Sequence, residues 1–318
     1  MLEAVGLFVF GLVLLALGGD SIVKGASGLA LRIGASPFVA GLLLVAFGTS
    51  LPELAVNLQA IMRGQGALAL GNAVGSNVVN FGLTLGAAAV AAPLLVRWRA
   101  LSPLLLVLLA GTLALIVLGL DGRLTRIEGV GLIVAFVAVV AFAMARTRRE
   151  SPEVQGAIAA FAETRTDLTL NVLRFVIAAV LLYFGSKLVV GSAPDIGQAL
   201  GMTPLVTGLL PVAIGTALPE MAAAVAAARR GRGDMVVGHV IGSSLFNLLV
   251  IVGGMAVIHG ALPIPASFVR YELPAAGVFA LMMIPMLRGD LRISRKEGAV
   301  MLLALLVWIV FELLMLQR

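Results

Sequence analysis

Long apolar runs of membrane-spanning length alternate along the chain with short polar breaks. A bilayer core asks for about 20 mainly apolar residues per helix. Ten stretches meet that demand: 2–30, 36–62, 68–91, 101–120, 127–146, 169–195, 203–229, 234–258, 271–287 and 296–316. The longest polar stretch, 146–167, carries Arg148, Arg149, Glu150, Ser151, Pro152, Glu163 and Arg165, and it divides the runs into two sets of five. The pattern predicts an all-α membrane protein of ten transmembrane helices in two halves, 1–146 and 169–318, joined by a linker over 147–168. Leu2 to Gly18 lacks the positive n-region and small-residue cleavage site of a signal peptide, so it reads as a first membrane helix.

Composition strengthens this reading. Hydrophobic residues make up 61% of the 318 and charged residues 12%, with a mean hydropathy of +1.12. A soluble domain could not hide that much apolar surface, so the surplus faces lipid. The 37 glycines suit close helix packing and interrupted helices. With no cysteine, there is no disulfide, thiolate metal site or thiol nucleophile, and two histidines argue against a His-rich zinc site.

The net charge of +6 is not a nucleic-acid signature, because the basic residues cluster in connections between apolar runs. Counting alternate connections puts Arg32, Arg97, Arg99, Arg146, Arg148, Arg149, Arg165, Arg229, Arg230, Arg232, Arg288, Arg292, Arg295 and Lys296 on one side. Arg63, Arg123, Arg126, Arg270 and Arg318 fall on the other. The positive-inside rule then predicts a multi-pass protein of the cell (inner or plasma) membrane, with both termini outside and the linker cytoplasmic.

An internal repeat changes the picture further. Residues 34–86 and 201–253 align without a gap at constant offset. Apolar composition gives chance matches of Leu, Val and Ala. It does not give matched Pro37/Pro204, Gly48/Gly215, Thr49/Thr216, Pro52/Pro219, Glu53/Glu220, Gly75/Gly242, Ser76/Ser243 and Asn80/Asn247. Five spans per half make the copies antiparallel, and inverted repeats of this kind are the general architecture of secondary transporters, with the ion site near the midplane.

Glu53 and Glu220 fall mid-span, where a carboxylate costs about 2.5–3.5 kcal/mol on insertion scales unless partnered. At equivalent positions of antiparallel repeats they would approach each other, and a divalent cation would match their summed charge. Pro52 and Pro219 lack the N–H that would bond the carbonyls of Gly48 and Gly215, which favours local unwinding. Calcium takes six to eight oxygens from carboxylates, carbonyls and hydroxyls, and Thr49, Ser50 and Thr216 are close in sequence. A packing kink is the plain alternative. On the partner helices Asn72, Ser76 and Asn80 share one face, as do His239, Ser243 and Asn247. Small polar residues also serve as interhelical glue, and for Asn72 and Asn77 that reading and the ligand reading stand level. Ser76, Asn80, Ser243 and Asn247 recur in both copies and are the better ligand candidates. A structural role is expected of His239, although imidazole can titrate near neutrality. Asp20 and Lys187 occupy equivalent positions, where they could pair or border the pathway, while Asp195, Asp234 and Glu272 look interfacial and solvated.

GTSLPE with GNAVGSN, and GTALPE with GHVIGSS, resemble the α-repeats of the cation/calcium exchanger superfamily, nearest its bacterial and archaeal sodium/calcium exchanger branch. The resemblance implies two inverted five-helix halves with broken helices at the core, and calcium and sodium competing for central sites. Glu53 and Glu220 would be shared ligands, with backbone and hydroxyl oxygens from Thr49 and Thr216. Ser50, Ser76 and Ser243, with the carbonyls of Ala46 and Ala213, would form flanking sodium sites, and Asn80 and Asn247 would complete the centre. The first helix of each half, 2–30 and 169–195, would slide across the core during alternating access. Ala217 stands where the first repeat has Ser50, His239 interrupts the second GN, and Asn247 replaces the acid that potassium-coupled relatives favour.

The expectation is therefore an antiporter exchanging calcium for sodium, with calcium/proton exchange through the same carboxylates as the alternative. Its expected partners are the ions and the bilayer, not nucleic acid, and a monomer is compatible with the sequence. Calcium and sodium (or protons) bind as cargo, without a cofactor or catalytic residue. HExxH and nucleotide motifs are absent, which sets aside an intramembrane protease and a primary pump. A passive channel would differ in needing no counter-ion.

Overall fold

The computed structural model describes residues 1–32, 50–96, 98–147 and 167–316. The first half contributes helices α1 (Leu2–Arg32), α2 (Leu51–Met62), α3 (Gly66–Val79), α4 (Gly86–Ala91), α5 (Trp98–Leu118) and α6 (Arg126–Thr147). The second contributes α7 (Leu168–Ala199), α8 (Pro204–Thr207), α9 (Ala213–Arg229), α10 (Gly233–Leu245), α11 (Val252–His259), α12 (Leu273–Asp290) and α13 (Arg295–Met315). Several join through π turns into longer rods, so that among the described residues eight helices are long and apolar enough to cross a membrane. The expected span 36–62 is described only from Ser50 onward, and 271–287 corresponds to α12 with the π turn Phe268–Glu272 before it.

Helix ends follow local chemistry. Asp167 caps α7 by accepting from the Leu170 N–H, and Thr203 caps α8 ahead of Pro204, whose missing N–H is no loss in a first turn. Ser294 and Glu297 make a reciprocal capping box at α13. The α2–α3 and α9–α10 turns are alike. Each places a glycine in the left-handed region, Gly64 (φ 71°) and Gly231 (φ 73°). Each then folds an N–H back onto the closing helix, Gln65 onto Ala60 and Arg232 onto Ala227.

The strand-free expectation gives way at two connections. Leu94–Leu95 (β1) pairs antiparallel with Arg292–Ile293 (β4), and Arg123–Thr125 (β2) with Ala261–Pro263 (β3). Each pair ties one half to the other and satisfies backbone groups that the helices leave open. Hydrophobic periodicity cannot reveal elements of two or three residues.

The rods 66–91 and 233–259 form the centre and are the most buried of the eight, and the outer helix 126–143 is the least. The periphery presents Phe10, Leu113, Val137, Tyr183, Leu303 and Val307 outward, the apolar coat a lipid-facing surface requires. α1 and α7 lie antiparallel across this core: Gly11 meets Gly185, Gly18 meets Leu182, and Gly185 meets Leu15. Gly86 sits against Gly298 of α13, and Gly253 against Gly129 of α6. Without a hydrophobic driving force between helices in lipid, such close backbone approaches supply the packing.

One open alternative about polar residues is resolved and one expectation is corrected. Asp20 pairs with Lys24 one turn along α1, at 2.6 Å, instead of with Lys187. Lys187 lines a groove of about 1110 Å³ between α1 and α7, with Glu3, Arg63 and Asp195. Glu272 is not solvated: it is 2% exposed and faces Glu312, itself 4% exposed. The neighbouring Tyr271–Phe311 ring contact, at 5.9 Å, locks these two helices together at that level. Two carboxyls that face each other repel when ionised, so Glu312→Gln is expected to leave thermal stability in detergent unchanged or raised. A clear fall in melting temperature would show instead that the carboxyl itself holds α12 to α13.

Candidate cation site

The two polar stripes meet at the centre of the described structure. Ser243 of α10 is the junction: the Ser50 hydroxyl, at the start of α2, donates to Ser243 Oγ at 2.7 Å, and the Asn80 amide donates to the same oxygen at 3.1 Å. One turn away, Asn77 Nδ2 donates to the Ser244 carbonyl at 3.1 Å, and Asn247 Nδ2 donates to Asn77 Oδ1 at 3.1 Å. Residues more than 160 positions apart are thus joined by direct hydrogen bonds. Asn77 takes the interhelical one of its two open roles, whereas Ser244 was not singled out by sequence.

These bonds leave a particular residue of chemistry. Asn80 and Asn247 spend their N–H groups on protein partners and keep their Oδ1 atoms without one. Among the described residues both oxygens of Glu53, the hydroxyl of Ser76 and that of Thr84 also lack a hydrogen-bond partner, and all of these side chains are buried. Glu53 is 1% exposed. The Thr216 hydroxyl faces Glu53 across the halves but donates to the Ala213 carbonyl at 3.2 Å. Asn57, also missed in the sequence, sits one turn beyond Glu53 and donates to its carbonyl at 2.8 Å. Glu220 is buried and its Oε1 lies 3.8 Å from His239 Nε2. Among the described residues no three His, Asp or Glu side chains converge as a ready metal cluster. A cation here would draw on hydroxyl, amide and carbonyl oxygens as much as on carboxylates.

The candidate residues are distributed as follows. Glu53, Ser50, Ser76, Asn80, Ala213, Thr216, Glu220, Ser243 and Asn247 are all buried in the core, and Ser50, Asn80 and Ser243 are bonded together. Thr49 and Ala46 lie outside the described residues. Ala217 packs with Val79 and Ala213 in a small apolar cluster, in contrast to its hydrogen-bonded counterpart Ser50.

In the second repeat the helix break differs from expectation, while Gly48, its first-repeat counterpart, lies outside the described residues. α9 runs unbroken from Ala213 through Gly215 and Pro219 to Arg229. Its ladder opens earlier, in the π turn Gly208–Val212, which contains Pro211. Pro211 removes a backbone donor there, while the Gly215 backbone keeps α-helical geometry despite the donor lost at Pro219. Asn80–Leu85 and Phe246–Ile251 are π turns as well, and they widen the ladder beside Asn80 and Asn247. Single π turns of this kind concentrate at functional sites.

The model of the sodium/calcium exchanger protein family matches residues 3–145 and 170–314. The chain belongs to the sodium/calcium exchanger family. It is accordingly a membrane transporter and not an enzyme. It is 33% identical over 320 residues to the inner membrane protein YrbG of Escherichia coli, covering 97% of this chain and 98% of that one. It is 27% identical over 366 residues to the sodium/calcium exchanger MaX1 of Methanosarcina acetivorans, covering 96% and 97%. Its fold is similar to that of the sodium–calcium exchanger NCX_Mj soaked with Na+ and Sr2+, with a TM-score of 0.66, 29% identity, and coverage of 97% and 98%.

Proposed function

We propose that this protein is a secondary antiporter that exchanges calcium for sodium by alternating access, with the cation held between Glu53 and Glu220. The observation that carries this reading is the buried set of acceptor oxygens without a partner among the described residues: Glu53 Oε1 and Oε2, Asn80 Oδ1, Asn247 Oδ1 and Ser76 Oγ. Buried acceptors without donors are costly, and a hard cation that seeks six to eight oxygens is the partner that suits them. Thr49, Thr216, Ser50, Ser243 and the carbonyls of Ala46 and Ala213 complete the proposed ligand sphere. Names borne by MaX1 and NCX_Mj support the choice of calcium and sodium.

Ten helices in two inverted halves, 1–146 and 169–318, are part of the proposal. It is supported by contacts that recur at the repeat offset: Gly18 on Leu182 with Gly185 on Leu15, and β1–β4 with β3–β2. The basic-residue asymmetry supports both termini outside and a cytoplasmic linker over 147–168.

The counter-ion has a second reading. Ala217 offers no hydroxyl where Ser50 does, and its surroundings are apolar, so one flanking sodium site loses a ligand. Proton coupling through the same carboxylates is the alternative. Calcium uptake into proteoliposomes loaded with sodium, set against uptake driven by a proton gradient alone, separates the two. Uptake that follows sodium supports the leading reading, uptake that follows only protons transfers the function to the alternative, and flux needing neither gradient removes antiport altogether. In the first case, Ala217→Ser is expected to strengthen the apparent sodium affinity severalfold. No change on restoring the hydroxyl would argue that sodium does not visit that flank.

A further inference from the structure

His239 occupies the second-repeat position held in the first repeat by Asn72, a buried amide. Its Nε2 lies 3.8 Å from Glu220 Oε1. That separation exceeds a hydrogen bond. It is within the span one ion can bridge, since metal–nitrogen and metal–oxygen bonds of about 2.1 Å each reach about 4.2 Å end to end. His239 Nε2 and Glu220 Oε1 are both buried, so the pair faces the interior of the core and not the surface. Calcium gains little from such a ligand, because it selects oxygen. Imidazole suits zinc and nickel.

We propose that His239 and Glu220 form a nitrogen–oxygen pair that makes this centre bind divalent transition metals of the zinc and nickel type in competition with calcium. The inference rests on the reading of the centre as a cation site. It adds a specificity-determining residue that the first repeat lacks: there the matching position presents an amide, so only one face of the centre carries a nitrogen ligand. Ser243 lies one turn beyond His239 on the same helix face, where its Oγ already receives hydrogen bonds from Ser50 and Asn80.

The chain contains only two histidines and no cysteine, which makes the assignment testable by spectroscopy. Purified protein freed of any histidine tag is titrated with Co2+, whose visible bands report nitrogen ligation. Wild type and the control His259→Asn, altered at an exposed residue at the end of α11, should show the same bands. His239→Asn, and separately His239→Gln, should lose or shift them. In proteoliposomes the ratio of Ni2+ to Ca2+ affinity, read from inhibition of calcium uptake, should fall at least tenfold in His239→Asn. Bands absent from wild type, bands that survive in both His239 variants, or a ratio changed by less than tenfold would each overturn the proposal. The cobalt spectrum needs no calcium flux, so it can succeed even where the calcium antiport reading fails.

Discussion

Glu53→Gln is expected to weaken calcium binding by roughly two to three orders of magnitude while leaving the fold intact. Glutamine has nearly the shape of glutamate, so packing around position 53 is preserved. Among the described residues the Thr216 hydroxyl faces the carboxylate but already donates to the Ala213 carbonyl, so the change leaves that hydroxyl with a partner. What disappears is one charge of the two proposed to hold the divalent ion. Removing one partner of a buried charge pair costs about 3–5 kcal/mol, and each 1.4 kcal/mol is about tenfold in affinity. The check is calcium-dependent thermal stabilisation of purified protein. A ligand at 100 times its Kd stabilises by about 2.7 kcal/mol, so the wild type should melt higher with calcium and the variant should show no such rise. Equal calcium shifts in both would place the ion elsewhere. A variant that melts far lower without calcium would mean that Glu53 is structural.

That prediction could be written from sequence, since a paired Glu at repeat-equivalent mid-span positions needs no coordinates to be noticed. The apolar runs were legible for the same reason: lipid imposes a composition as well as a length. Contacts that depend on which helix lies opposite were not legible. Glu272 follows Arg270 and Tyr271, a run that looks interfacial, and its burial comes from α13, whose Glu312 meets it. Ser243 was visible as a ligand candidate, but not as the oxygen on which Ser50 and Asn80 both converge. The missing donor at Pro219 suggested unwinding at Gly215. The chain instead absorbs its irregularity at Gly208–Val212 and at the π turns beside Asn80 and Asn247. Loss of one hydrogen bond permits a break; packing around the whole helix decides whether it happens.

Packing at that π turn carries the second large effect. A Cβ added to Gly208 would fall inside contact distance of the Leu68 carbonyl oxygen and 2.8 Å from the Asn72 backbone nitrogen. Across the same crossing, a Cβ on Gly71 would meet the Leu205 carbonyl, and one on Gly75 would lie 2.5 Å from the Leu209 carbonyl. The obstacles are backbone atoms, which cannot rotate away as a side chain could. Over-packing a tight core costs about 1–3 kcal/mol and occasionally more. Gly208→Ala, which must push two helix backbones apart, should lie at or above the top of that range. The crossing also sets where the Asn72–Ser76–Asn80 face stands relative to Thr216 and Glu220, which follow the π turn in α9. Gly208→Ala is therefore expected to lower both the yield of folded protein and the calcium affinity of whatever folds. Gly6→Ala, with nothing within 4 Å of the new methyl, should be neutral or slightly stabilising, since alanine is the better helix former by about 1 kcal/mol. Thermal melting of the two variants side by side isolates the crossing from any general effect of replacing glycine. If Gly208→Ala melts like Gly6→Ala, the two backbones are not in contact, and the register of the central site must be held by the Ser50–Ser243–Asn80 hydrogen bonds instead.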